Sequence, residues 1–214
     1  MNTNESPMTN RPLPDDRETC EMILRLANPF HLMAWLMVET GVRITDLETM
    51  PVSAFHSAKR EVVIGGSRAG RVVAVSTGLA SALTAYVAAL RPAYEKRTHR
   101  LTLLGRFSRP SEPVRFADAL LFPVGALDEF SGPHFDAPIP SAWFVHALEQ
   151  AAAECGYTGP VHSNTLRHVC AKRWLVQGLS LAEVNQRLGH RDVMTTMLMA
   201  QALQHGGLTF TTAA

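Results

Sequence analysis

The chain has 214 residues, 46% of them hydrophobic and 18% charged, with a formal net charge of +1. This composition excludes a disordered polymer and leaves enough apolar chain for one domain with a full core. No apolar run reaches the length of a membrane span, and the N-terminus lacks the basic-then-apolar pattern of a signal peptide. The expected compartment is therefore the cytoplasm, with no membrane partner.

Residues 1–14 are polar and proline-containing and read as a flexible tail. Asp15 or Asp16 then caps a short helix carrying Cys20, Ile23, Leu24 and Ala27, which should end at Asn28-Pro29. Phe30 to Thr40 is apolar almost all round, as a buried central helix requires, and Gly41 ends it. Arg43 sits in the turn before a helix that starts at Thr45-Asp46-Leu47. Residues 61–64 and 71–75 are β-branched runs around Gly65-Gly66 and Gly70, which predicts a hairpin or small sheet. Leu79 to Leu90 reads as an alanine-rich amphipathic helix stopped at Arg91-Pro92.

Residues 95–140 begin basic and become rich in proline, glycine and phenylalanine, the pattern of a long loop, and such loops usually have a job. Ser141 to Cys155 is a capped amphipathic helix. Thr165-Leu166-Arg167-His168 opens a further apolar-periodic run that ends at Gly178. Ser180 with Glu183 three residues on is a capping-box pattern, and the helix it starts stops at Gly189. His190 stands at the mouth of a third helical stretch, from Asp192 to Gln201, and the nine residues from Gly206 read as a frayed end.

Three scattered cysteines (Cys20, Cys155 and Cys170) suggest neither a disulfide framework nor a zinc site. His162, His168 and Cys170 lie close in sequence, but helix-opening packing explains them better than a metal. Neither metal nor cofactor is expected.

The succession of Leu166-Arg167-His168, a glycine break, a short helix and Leu188-Gly189-His190 resembles the C-terminal half of the tyrosine recombinase (phage integrase) catalytic domain. The segment Thr195-Thr196-Met197 followed by Gly206-Gly207 makes the integron-type integrases the nearest likeness. Residues 39–50, ETGVRITDLETM, look like the first arginine box of the same family. The resemblance covers residues 12 to 207. It implies a mainly α-helical α+β fold with a small antiparallel β-sheet, a catalytic-like domain over 15–205, and tails at 1–14 and 206–214. A helical domain that closes over the other face of the duplex in that family has no counterpart here, so a weaker solo grip on DNA is expected.

In that family a tyrosine oxygen attacks a DNA phosphodiester while two arginines clamp its non-bridging oxygens, and histidines and a hairpin lysine move protons. By motif, Arg43 matches the first arginine, Arg167 the second and His190 the histidine of the last box. Three positions depart from the pattern. Asn164 stands where a histidine is usual, Gly66 falls at the hairpin lysine, and Met199 occupies the nucleophile position nine residues after His190. A thioether cannot attack a phosphate, and the only tyrosines, Tyr86, Tyr94 and Tyr157, all precede the second arginine.

The resemblance thus implies a domain that holds DNA through Arg43, Arg167, His190 and His168 and does not cut it. Arg68 and Arg71 flank the hairpin tip. Either could touch a phosphate where the lysine would have been, or be a solvated turn arginine; an arginine there would restore binding and not proton transfer. Arg43 alone could equally be a structural arginine paired with Asp46 or Glu48. The expected partners are DNA and, beyond it, an active recombinase or a second copy of the chain. Two alternatives stay open: a protein-interaction module that has lost DNA contact, favoured by the near-zero net charge, and an active recombinase whose nucleophile comes from another chain.

Overall fold

The computed structural model describes residues 13–65, 70–103, 115–126, 132–189 and 197. Helix α1 (Asp16–Arg25) starts on a reciprocal cap: Glu18 N–H donates to Asp15 Oδ1 at 2.7 Å, and Asp15 N–H donates to Glu18 Oε2 at 2.8 Å. It stops at Arg25, short of Asn28-Pro29, because Leu26 turns into extended backbone with ψ 132. Helix α2 (Phe30–Thr40) has the expected bounds. Leu32, Met33, Ala34, Leu36, Met37 and Val38 are all buried, on several faces of the helix, since α1, α4 and α6 pack around it. Gly41 ends it in the left-handed conformation, φ +61. Arg43 then occupies the N-cap position of the short helix α3 (Ile44–Glu48).

Strands β1 (Phe55–His56), β2 (Glu61–Ile64) and β3 (Arg71–Ala74) form an antiparallel sheet in that order. The register pairs Val62 with Val73 and Ile64 with Arg71. Val62 and Ile64 face the core, so the alternation of the predicted hairpin is realised with one extra edge strand.

Two expectations need correcting. Helix α4 (Thr77–Leu103) does not stop at Arg91-Pro92 but runs through Pro92. Proline removes one N–H donor and strains one turn, yet packing on both sides outweighs that local cost. Leu90 and Tyr94 are buried, Tyr94 lies 5.3 Å and 5.1 Å from the rings of Phe116 and Phe135, and the Arg91 guanidinium sits 4.7 Å over Phe116. Residues 95–140 are accordingly not one loop. Their described residues complete α4 and build a second antiparallel pair, β4 (Pro123–Val124) and β5 (His134–Pro138), with Phe122 just before β4 and Phe135 in β5 entering the core. Among the described residues of that stretch Phe116, Ala119, Leu121, Phe122, Phe135 and Ile139 are buried core residues, delivered by short segments that no periodicity announces.

Helix α5 (Ser141–Glu154) has no side-chain cap of its own. Instead the Ser141 N–H donates to Glu48 Oε1 of α3 at 3.1 Å, a cap supplied from a distant part of the sequence. Helix α6 (Thr165–Val176) and helix α7 (Leu181–Leu188) follow. The Ser180–Glu183 capping box is present at the start of α7, and Gly189 closes it at φ +65. The fold is mainly helical with small antiparallel sheets, as the α+β expectation has it; among the described residues the sheets are two, of three and two strands.

The apolar side chains divide unequally. One large core runs from Met22 to Leu166, and a small second cluster joins Cys170, Ala171, Trp174 and Leu175 of α6 to Val184 and Leu188 of α7, with Leu13 packed against it. The α6–α7 unit is tied to the rest mainly through the contact of α6 with α2. Among the described residues no helix is long and apolar enough to cross a membrane.

Candidate functional site

Three arginines meet where α2, α7 and β3 end or begin. Arg167, in the first turn of α6, is 2% exposed. Its Nη1 donates to the Gly41 carbonyl and its Nη2 to the Leu188 carbonyl at 2.8 Å. Arg71, the first residue of β3, donates from Nη1 to Thr40 O at 3.2 Å and from Nη2 to Gly41 O at 3.3 Å. Arg43 is exposed and donates from Nη2 to Gly189 O at 3.4 Å. Every acceptor is a carbonyl at the C-terminal end of α2 or α7, where unpaired carbonyls concentrate negative partial charge.

The geometry depends on two glycines. A Cβ on Gly41 would lie 2.7 Å from Leu188 Cδ2, so α7 approaches the end of α2 as closely as it does because nothing stands there. Gly189 lies under the Arg71 side chain, with Nε 3.6 Å from where a Cβ would be.

The electrostatics are one-sided. Burial first, then the charges of Arg43 and Arg71, holds the Arg167 guanidinium down to about 10. Burial also lowers Arg71, partly offset by Asp46. Among the described residues no carboxylate makes a salt bridge with any of the three. Asp46 is a compensating charge for Arg71 and Arg167, and its Oδ2 accepts the Arg43 backbone N–H at 3.2 Å. Asp46 therefore fixes the Arg43 backbone, whereas the guanidinium goes to the end of α7. Each guanidinium carries five donors, and among the described residues one or two of them are engaged.

Arg43, Arg71 and Arg167 are thus brought together, and Arg71 is no solvated turn residue. His168 follows Arg167 on α6 and is half-buried; burial, then the Arg167 and His162 charges, lowers its pKa, so it is neutral at pH 7. Asn164 takes the N-cap position of α6 without a side-chain cap. Gly66, Arg68, His190 and Met199 lie outside the described residues. The three tyrosines serve packing: Tyr86 stacks on Phe122 with centroids 5.7 Å apart, Tyr94 joins Phe116 and Phe135, and the Tyr157 ring lies over Gly159. Burial raises the Tyr86 hydroxyl pKa further, the reverse of what a nucleophile needs. Among the described residues no group of three or more His, Cys, Asp or Glu could hold a metal ion. Sequence patterns alone missed Thr40, Gly41, Leu188 and Gly189 as site residues, because they act through backbone carbonyls; the helix-ending glycines were the available signal.

A helical domain with a short three-stranded antiparallel sheet, carrying arginines from the α2 end and α6 side by side, defines the recombinase catalytic fold. The chain matches the phage integrase family over residues 19–204 and belongs to it. It is 25% identical over 176 residues to the tyrosine recombinase XerD of Agrobacterium fabrum, covering 81% of this chain and 49% of that protein. The chain therefore spans about half the length of that relative. Its fold is similar to that of the XerA recombinase (TM-score 0.63, 17% identity, 90% of this chain and 62% of the other). It is also similar to that of the Tn1549 transposon integrase in complex with transposon right end DNA (TM-score 0.61, 12% identity, 92% of this chain and 63% of the other).

Proposed function

We propose that this chain is a DNA-binding member of the family that holds a backbone phosphate without cutting it, as a regulator of or accessory factor in recombination, integration or transcription. The observation that carries this is the convergence of Arg43, Arg71 and Arg167 on two helix ends with no carboxylate salt bridge among the described residues. Two or three forked donors preset around one point suit the non-bridging oxygens of a phosphodiester. The Tn1549 integrase bound to DNA, with a similar fold, supports DNA as the partner class. His168 would join as a neutral donor of one N–H, while Arg68 and His190 are assigned to DNA on the sequence alone.

Loss of cutting rests on residue types. Met199 supplies a thioether where an oxygen nucleophile is required, Gly66 has no proton to give, and Asn164 is not a base. Arg71 cannot replace a lysine as general acid, since its guanidinium stays charged at neutral pH. The integron-type affinity rests on Thr195-Thr196-Met197 and Gly206-Gly207 alone. A second function, docking on another recombinase or on a second copy of this chain, is favoured by the net charge of +1, which gives little non-specific pull on DNA.

The test is the salt dependence of DNA affinity for the parent and for Arg43→Ala, chosen because Arg43 is exposed. The expected result is weaker binding of the variant, with a slope of log K against log salt shallower by roughly one. Identical affinity and slope would turn the assignment to the protein-interaction role.

A further inference from the structure

Helix α2 is buried on most of its surface, and its half-exposed positions after Phe30 are His31, Trp35 and Glu39, one stripe at helical spacing. The stripe ends in a latch. Glu39 Oε1 accepts the Trp35 indole N–H and the Ser76 hydroxyl, each at 2.6 Å, and Oε2 accepts the Ser76 backbone N–H at 2.8 Å. Ser76 stands between β3 and α4, and its Oγ accepts the Leu79 N–H at 3.2 Å, so the hydroxyl that Glu39 holds also caps α4. The Trp35 ring lies against Gly78, where a Cβ would be 3.3 Å from Cζ2 and Cη2. The last turn of α2 thus fastens β3 at both ends. Arg71 at its start forks onto Thr40 O and Gly41 O, and Ser76 just past its end is held by Glu39.

We propose that Glu39 is a positioning residue: by holding Ser76 it sets the line of β3 and so places the Arg71 guanidinium at the end of α2. The consequence for DNA rests on the phosphate-holding assignment above, whereas the positioning itself is a property of the free chain. Strand β3 is an edge strand, and none of its four residues is buried. Packing therefore does not fix it, and the polar fastenings at its two ends do. They are separated by roughly 15 Å of extended chain. Two attachments that far apart fix the direction of a strand, whereas the Arg71 fork alone leaves it free to pivot about one end. Helix α4 does not need the latch to stay on the core, because Leu79 and Leu83 are fully buried. Glu39 thus supplies direction, and the side chain that depends on it is the long Arg71, whose conformational freedom must be lost before it holds a ligand. An Arg71 already fixed by the protein meets a DNA phosphate with that entropy cost behind it.

The experiment compares the full chain with Glu39→Gln, whose amide has one acceptor oxygen in place of two and must drop at least one of the three bonds at almost unchanged size. The first reading is the order parameter of the Arg71 Nε–H, from NMR relaxation without DNA. It is expected to fall by about a third in the variant. The second reading is affinity for a short DNA duplex, at a temperature where both proteins are folded. Glu39→Gln is expected to weaken binding about threefold to tenfold in the parent, and by less than about twofold in an Arg71→Gln chain. A merely structural Glu39 lowers the melting temperature and leaves the order parameter and the affinity unchanged, and that result would overturn the inference. Equal weakening in both backgrounds would overturn it as well, because Glu39 would then not act through Arg71. Should Glu39→Gln not fold, Ser76→Ala loosens the same latch from the α4 side and is read in the same way. Ser76→Thr, which keeps the hydroxyl, should hold the parent values. If the parent binds no DNA, the DNA assignment falls, and the Arg71 order parameter alone decides the positioning.

Discussion

Arg71 Nη2 and Arg167 Nη1 both donate to the carbonyl oxygen of Gly41. One helix-end carbonyl thereby gathers two cations, from β3 and from α6, that would otherwise move apart. The arrangement explains why the residue before Val42 is a glycine: its φ of +61 and the approach of Leu188 both exclude a side chain. Gly41→Ala is expected to lower stability by about 1–3 kcal/mol, read as a lower urea midpoint with an unchanged slope. In a Leu188→Ala background the same change should cost less, because the atom it strikes has been removed.

Arg167 has a structural task as well as a proposed functional one. Arg167→Met should destabilise the fold by about 1.5–3 kcal/mol, since two carbonyls lose charged donors at a buried site. Arg167→Lys should not rescue it fully, because a single ammonium cannot span Gly41 O and Leu188 O as the fork does. Loss of DNA binding by an Arg167 variant therefore counts only when its denaturation curve shows it folded.

His168 contributes to the acid side of the stability profile. Its folded pKa is depressed below the ordinary 6.5, so between the two values the unfolded chain binds more protons than the folded one. Its contribution is full above 6.5 and is lost as pH falls through that value towards the lower folded one. Melting temperature should decline on acidification below 6.5, and His168→Gln should flatten that part of the curve.

Pro92 is a local defect tolerated by α4. Pro92→Ala restores a backbone N–H and a better helix former in the interior of a 27-residue helix. A gain of about 1–3 kcal/mol is expected from urea unfolding, reduced if the neighbouring packing of Arg91 on Phe116 must shift.

Legibility followed locality. The bounds of α2, the Ser180 cap, a cap for α1 at Asp15 or Asp16, the β2–β3 hairpin and the glycine ends of α2 and α7 were all readable, because each is decided within a few residues. The passage of α4 through Pro92, the β4–β5 pair and the capping of α5 by Glu48 were not, because distant packing decides them. The same division runs through the site. Arg43 and Arg167 stand in short recognisable boxes, whereas the role of Arg71 emerges only when β3 is laid against the ends of α2 and α7.

Binding without cutting is tested most directly by a mobility shift of the full chain on DNA fragments, run before and after denaturing the protein. A shift that disappears on denaturation is the predicted result, since Met199 can form no covalent link. A shift that survives would mean a protein–DNA bond and contradict the account. No shift at low salt would contradict it equally, and would leave a protein partner as the role for this fold.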